Sequence, residues 1–191
     1  ALREYLRTKN KATPVVLLDS IDFSGCNYPD FKELKELPLE QLILVVDDSH
    51  GIGVVEPQGR GVFKKLNALG AKELMVSCSL GKAFGIQAGA IFGGKERIEM
   101  LMETNFFGGA SPATPSGMAT LLDSEKLFLR KWDKLGDNIH LFISSLKRPE
   151  SFLFMKDHPV FSFTDQNLSD YLGSNAIITT NFSYPSDGDA T

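Results

Sequence analysis

Two short apolar runs in this chain each stop on an aspartate: Val15 to Leu18 closes on Asp19, and Leu42 to Val46 closes on Asp47. Both are too short and too unbroken to be amphipathic helices. They read as β-strands buried on both faces, the usual state of strands in a parallel sheet. Leu74 to Ser77 is a third such run, and Ala88 to Phe92 a fourth that leads into Gly93-Gly94. Helical patterns separate them. Phe31, Leu34 and Leu37 share a face behind Pro29, Val62 to Leu69 is stopped by Gly70, and Lys95 to Asn105 carries Ile98, Leu101 and Met102. Alternating strands and helices predict an α/β layered fold with a mostly parallel sheet and helices on both faces.

The second half has a different texture. Phe106 to Pro115 is dense in glycine, alanine and proline and reads as a loop. A long amphipathic helix is expected over 116–147, with Gly136 as its weak point. After Pro149 come short segments: a strand near Val160–Phe163, a helix near Leu168–Leu172 and a strand near Ala176–Thr180. The expected division is 1–135 as a partial large domain and 136–191 as a partial α+β domain. Residues 1–9 read as the end of a helix. The chain closes on a turn-rich stretch where another strand is expected, so a piece of a longer polypeptide is anticipated.

Charge narrows the function. The net charge of −4 and the lack of a basic run leave no footprint for nucleic acid. No run approaches the roughly 20 apolar residues of a membrane span. Cys26 and Cys78 have no metal-ligand spacing and suit a reduced, cytoplasmic setting. His50, His140 and His158 are scattered through the chain and suggest no zinc site.

The chemistry-bearing residues gather at the ends of the second and third strands. Asp47 lies where a buried strand emerges, the place where ligands collect in open α/β sheets. A strand-end aspartate also commonly caps the next turn, and Asp48 beside it reads as solvated or structural. His50 by itself reads as a packed or surface histidine. Lys82 sits between Gly81 and Ala83, where small neighbours make room for a flat ligand at its amine. A surface-loop lysine is the plainer alternative. Ser77 and Ser79 offer hydroxyls and backbone N–H groups to a phosphate, or serve as turn residues. An acid, an imidazole and a lysine on neighbouring strand ends suit pyridoxal phosphate, which needs an anion, a hydrogen-bond partner and an amine.

Other motifs fail on their own spacing. The Gly81-Lys82 pair lacks a phosphate loop's first glycine, because position 76 is Val76, and Ala83 follows where a hydroxyl is required. Gly51 and Gly53 lack the third glycine of a dinucleotide fingerprint, since Glu56 stands there. Asp48, Ser49 and His50 are triad residue types, but adjacent residues do not easily adopt triad geometry. Asp47, Asp48 and His50 as a metal site gain no further clustered ligand.

Together the segment Val46-Asp47-Asp48-Ser49-His50-Gly51-Ile52-Gly53-Val54, then Gln58-Gly59-Arg60-Gly61, Ser79-Leu80-Gly81-Lys82-Ala83-Phe84-Gly85, and Gly93 to Ile98 resemble the α-oxoamine synthases, a group of fold-type I pyridoxal-phosphate enzymes. The resemblance runs over most of residues 1–148. It implies that Lys82 forms the Schiff base with the cofactor, Asp47 pairs with the pyridine nitrogen, His50 bonds the ring hydroxyl oxygen and Ser79 meets the phosphate. Gly109 stands in a loop that in the family reaches a partner subunit's cofactor, where it would donate a backbone N–H. That loop departs from the family's hydroxyl-bearing pattern, reading Phe107-Gly108-Gly109-Ala110-Ser111-Pro112.

The implied reaction joins an amino acid to an acyl-CoA in a homodimer, with pyridoxal 5'-phosphate as cofactor. Two alternatives stay open: an aminotransferase or carbon–carbon lyase on the same fold, and an inactive piece that serves only as an interaction surface. In the family, the residue stacking on the ring and the arginine that holds the substrate carboxylate lie outside 1–191. The chain alone is therefore expected to be inactive.

Overall fold

The computed structural model describes Tyr5, residues 12–21 and residues 30–180. The helix end expected over 1–9, apart from Tyr5, and the closing turn-rich stretch lie outside these residues, as do Cys26 and Pro29. Four strands form the main sheet in the order β1 (Val15–Asp19), β2 (Ile43–Asp47), β3 (Glu73–Ser79) and β4 (Gly89–Gly93). The first three are parallel and β4 runs antiparallel to β3. Only Leu80 to Ala88 separates β3 from β4. A parallel return needs a crossover of a dozen or more residues, so this short link makes a hairpin.

Among residues 12–21 and 30–180 the α-helices are α1 (Phe63–Asn67), α2 (Lys95–Met102), α3 (Asn105–Gly109), α4 (Pro115–Asp123), α5 (Glu125–Ser145) and α6 (Gln166–Ser174). A separate antiparallel pair, β5 (Leu153–Phe154) and β6 (Phe161–Ser162), lies near the end of the described chain. The main core packs Leu44, Val46, Leu74 and Val76 from the sheet, with Leu42 just before β2, against Val55, Val62 and Leu66. A smaller cluster of Ile52, Cys78, Leu80 and Ile86 lies under the hairpin.

Several expectations need correction. Instead of being buried on both faces, β2 and β3 alternate between buried and half-exposed positions and β1 between half-buried and exposed ones, with Leu17 74% exposed. The helix expected from Pro29 to Leu37 shrinks to a 3₁₀ turn, Glu33–Glu36, because Phe31 takes a left-handed backbone (φ 55°) that no helix tolerates. Part of the 106–115 loop is helical: the Thr104 hydroxyl accepts the Phe107 N–H at 3.3 Å and caps α3. The long helix is two, broken at Ser124, whose φ and ψ (−100°, 8°) leave the helical basin. Gly136 does not interrupt α5. No strand forms over 176–180; Ala176 turns left-handed (φ 60°) at the end of α6, and Ile177 N–H returns to Leu172 O at 2.9 Å.

Candidate functional site

Strand register brings the acids to one edge. Asp19 pairs with Asp47, and Asp47 with Ser77, so β1 and β2 end on one level and β3 runs two residues further, to Ser79. The Asp47 carboxylate accepts the Ser49 N–H at 2.8 Å, which starts the turn that follows β2. Asp48 O then accepts from Gly51 N at 3.0 Å and from Ile52 N at 2.9 Å. This tight turn lifts His50 out over the sheet edge.

The hairpin supplies the lysine. Leu80 N donates to Ala88 O at 2.9 Å and Ile86 N to Leu80 O at 3.1 Å, which closes the β3–β4 link. Ser79 N donates to the buried Ser49 hydroxyl at 2.9 Å, and Ser79 Oγ accepts from Gly81 N at 3.2 Å. These bonds tie the turn after β2 to the hairpin and lead directly into Lys82. The result is a contact of 2.5 Å between Lys82 Nζ and His50 Nε2. Asp47 and Lys82 are exposed and His50 is half-buried, so the cluster opens to solvent.

The charges agree with this arrangement. Burial works to raise the Asp47 carboxyl, but the Ser49 bonds and the positive charge of Lys82 outweigh it and hold it below the usual value. Burial, and then the charge of Lys82, push His50 below an ordinary histidine. A neutral His50 presents the lone pair that the Lys82 amine needs at Nε2.

The expected residues thus separate. Asp47, His50, Ser79 and Lys82 form one connected group. Ser77 is beside Asp47 in register, but its hydroxyl faces Val46 O at 3.5 Å. Gly109 lies on exposed α3, and no hydrogen bond among the described residues joins it to the group.

Two contributors were not legible as such. Asp48 is 1% exposed, and its Oδ2 accepts the Val62 N–H at 2.9 Å. A Cβ added at Gly51 would lie 2.1 Å from Asp48 Oδ1, and one at Gly61 (φ +67°) 2.2 Å from Oδ2. The two glycines therefore make the slot in which this carboxyl seats the loop; their flanking positions were the one signal in the sequence. The second is His158, buried after β5, whose Nε2 lies 3.4 Å from His50 O. Nothing in the spacing of the histidines announced it.

No protein-family model matches the chain. It is similar to an 8-amino-7-oxononanoate synthase of Thermosipho melanesiensis, 31% identical over 133 residues, which cover 68% of this chain and 33% of that relative. The chain thus spans about a third of the length of that curated relative. The 8-amino-7-oxononanoate synthase structure from Francisella tularensis superposes with a TM-score of 0.61 at 21% identity, over 96% of this chain and 57% of the other. Serine palmitoyltransferase from S. paucimobilis, solved with a bound PLP–myriocin aldimine, superposes with a TM-score of 0.64 at 19% identity, over 87% of this chain and 45% of the other. These likenesses share one fold, that of the fold-type I enzymes.

Proposed function

We propose, since this chain belongs to the α-oxoamine synthase family, that it carries the lysine side of a pyridoxal-phosphate site in an enzyme that condenses an amino acid with an acyl-CoA. The observation that carries this reading is the meeting of Lys82 with His50 beside Asp47 at the strand ends. The donor set suits the cofactor: an amine, a carboxylate held ionised, a neutral imidazole and the Ser79 hydroxyl lie on two linked turns.

Pyridoxal phosphate, when bound, supplies an aldehyde for an amine and a ring that takes up electrons from an amino acid's α-carbon. In this reading Lys82 provides the amine. Asp47 lies as a fixed anion for the protonated ring nitrogen, which electrostatic preorganisation makes effective. His50 orients the Lys82 amine through Nε2 and meets the ring hydroxyl oxygen. Ser79 receives the phosphate at the mouth of the hairpin. In the overall exchange, the amino acid's α-carbon gives up its proton or its carboxylate and bonds to the acyl carbonyl carbon, whose bond to sulfur breaks, and CoA takes up a proton and leaves as its thiol.

Further parts of the reading are proposals of the same kind. Gly109 would donate its N–H across a homodimer interface, a role supported by the exposed apolar surface of α3, where Phe106 is 92% exposed. The large domain ends near residue 135 and the second begins at 136; the separate β5–β6 pair supports this, with α5 spanning the join. No helix among the described residues is long and apolar enough to cross a membrane. The buried free thiol of Cys78 supports a reducing, cytoplasmic setting.

The test is product analysis with the whole protein, supplied with amino acids and an acyl-CoA. Release of CoA thiol that depends on the amino acid and stops in Lys82→Ala supports the reading. Amino transfer to a 2-oxo acid with no release of CoA overturns it in favour of an aminotransferase.

A further inference from the structure

The turn that carries His50 is gripped from outside by a residue 108 positions along the chain. His158 follows β5 and is 3% exposed. Its own N–H donates to Met155 O at 3.1 Å, which fixes the backbone beneath the ring. Its Nδ1 lies 3.4 Å from Val160 N, and its Nε2 lies 3.4 Å from His50 O.

These two contacts determine the tautomer. A backbone N–H can only donate, so Nδ1 must be the acceptor toward Val160. A carbonyl oxygen can only accept, so Nε2 must carry the hydrogen and donate to His50 O. A neutral imidazole with hydrogen on Nε2 satisfies both neighbours; a protonated ring satisfies only one. Burial of the ring opposes the charged form in the same sense.

The His50–Gly51 peptide is thereby held at both ends. Gly51 N donates inward to Asp48 O at 3.0 Å, and His50 O is met from outside by His158. Fixing this peptide plane fixes ψ of His50, and with it the bearing of the ring on Lys82.

We propose that His158 is a positioning residue for the candidate site: it donates from Nε2 to the backbone of His50 and holds the His50 ring against Lys82. The proposal rests on the reading of His50 and Lys82 as one site, but it concerns this chain's own side chains and is measurable without turnover.

The experiment uses the chain with ¹⁵N-labelled histidine and records the ring nitrogens of His50 and His158. The wild type should show His158 with hydrogen on Nε2. His158→Gln places an amide donor where Nε2 stood and should leave the His50 ring signals near those of the wild type. His158→Met keeps bulk without a donor; it should shift those signals and slow capture of pyridoxal phosphate at Lys82 about two- to tenfold, the range of one neutral hydrogen bond. A hydrogen on Nδ1 of His158, or His50 signals that move equally in the Gln and Met variants, overturns the proposal. So do His50 signals that stay unmoved in His158→Met. If His158→Met does not fold, the wild-type tautomer and the Gln variant still decide. Failure of the wild type to capture the cofactor at Lys82 counts against the functional reading, while the ring signals judge the role of His158 separately.

Discussion

Lys82 Nζ and His50 Nε2 lie 2.5 Å apart although they come from different turns, one after β2 and one between β3 and β4. The contact exists because Ser49 bridges the turns, its hydroxyl receiving the Ser79 N–H. Removing that bridge should loosen the site without dismantling the sheet. Ser49→Ala leaves Ser79 N–H without its partner and should cost about 1–3 kcal/mol in denaturant unfolding. Capture of cofactor by Lys82 should slow in parallel. An unchanged unfolding midpoint would show that the bridge carries no weight.

Asp47 should matter to chemistry more than to folding. It is exposed, and its bond to Ser49 N–H is a local turn contact. In the whole protein, Asp47→Ala should lower turnover by about 10²–10³-fold, as removal of a preorganised electrostatic group does. Thermal stability should change little. Turnover within a few-fold of the wild type would remove Asp47 from the reacting group.

The slot around Asp48 should be intolerant of added atoms. Gly61→Ala places a methyl 2.2 Å from Asp48 Oδ2 at a left-handed backbone position, so the loop must move. A loss of about 1–3 kcal/mol is expected, the range for strain of this type. Asp48→Asn should be milder than Asp48→Ala. An amide oxygen still accepts the Val62 N–H, and burial already pushes the Asp48 carboxyl upward, toward its neutral form. Comparison of the three unfolding midpoints checks this order.

His158 gives the fold a dependence on pH with a definite sign. Burial lowers its pKa from 6.5 and outweighs the bond to the His50 backbone, which works to raise it, so its neutral form is favoured in the folded state. Above about 6.5 both states are neutral and the group contributes no pH dependence. Below it the unfolded chain takes up the proton first, so stability falls with pH until the folded-state value is reached. His50 shares this sign. The difference between wild type and His158→Gln isolates His158: wild type should lose stability relative to the variant as pH drops from 7 through 6. A flat difference would mean that His158 titrates normally.

The sheet was legible because its strands are short continuous apolar runs, too short for helices, that stop on acids, serines or glycine. The boundaries that failed depend on single backbone angles. Phe31 at φ 55° and Ala176 at φ 60° halt regular structure at residues with no glycine to announce it. The break at Ser124 falls inside a stripe of leucines whose period continues on both sides. Asp47, His50, Ser79 and Lys82 were legible because each follows a strand run. Their mutual contacts were not, since Ser49 joins the turns by one hydroxyl and His158 arrives from a segment remote in sequence.

The central claim is that Lys82 is the amine that takes the cofactor, and chemical trapping tests it most directly. The chain is incubated with pyridoxal phosphate, reduced with borohydride and digested, and the pyridoxyl mass is located among the peptides. The account expects the label on Lys82, with His50→Phe lowering its yield because the amine loses its partner at Nε2. Label distributed evenly over the exposed lysines, or concentrated on one other than Lys82, would contradict it.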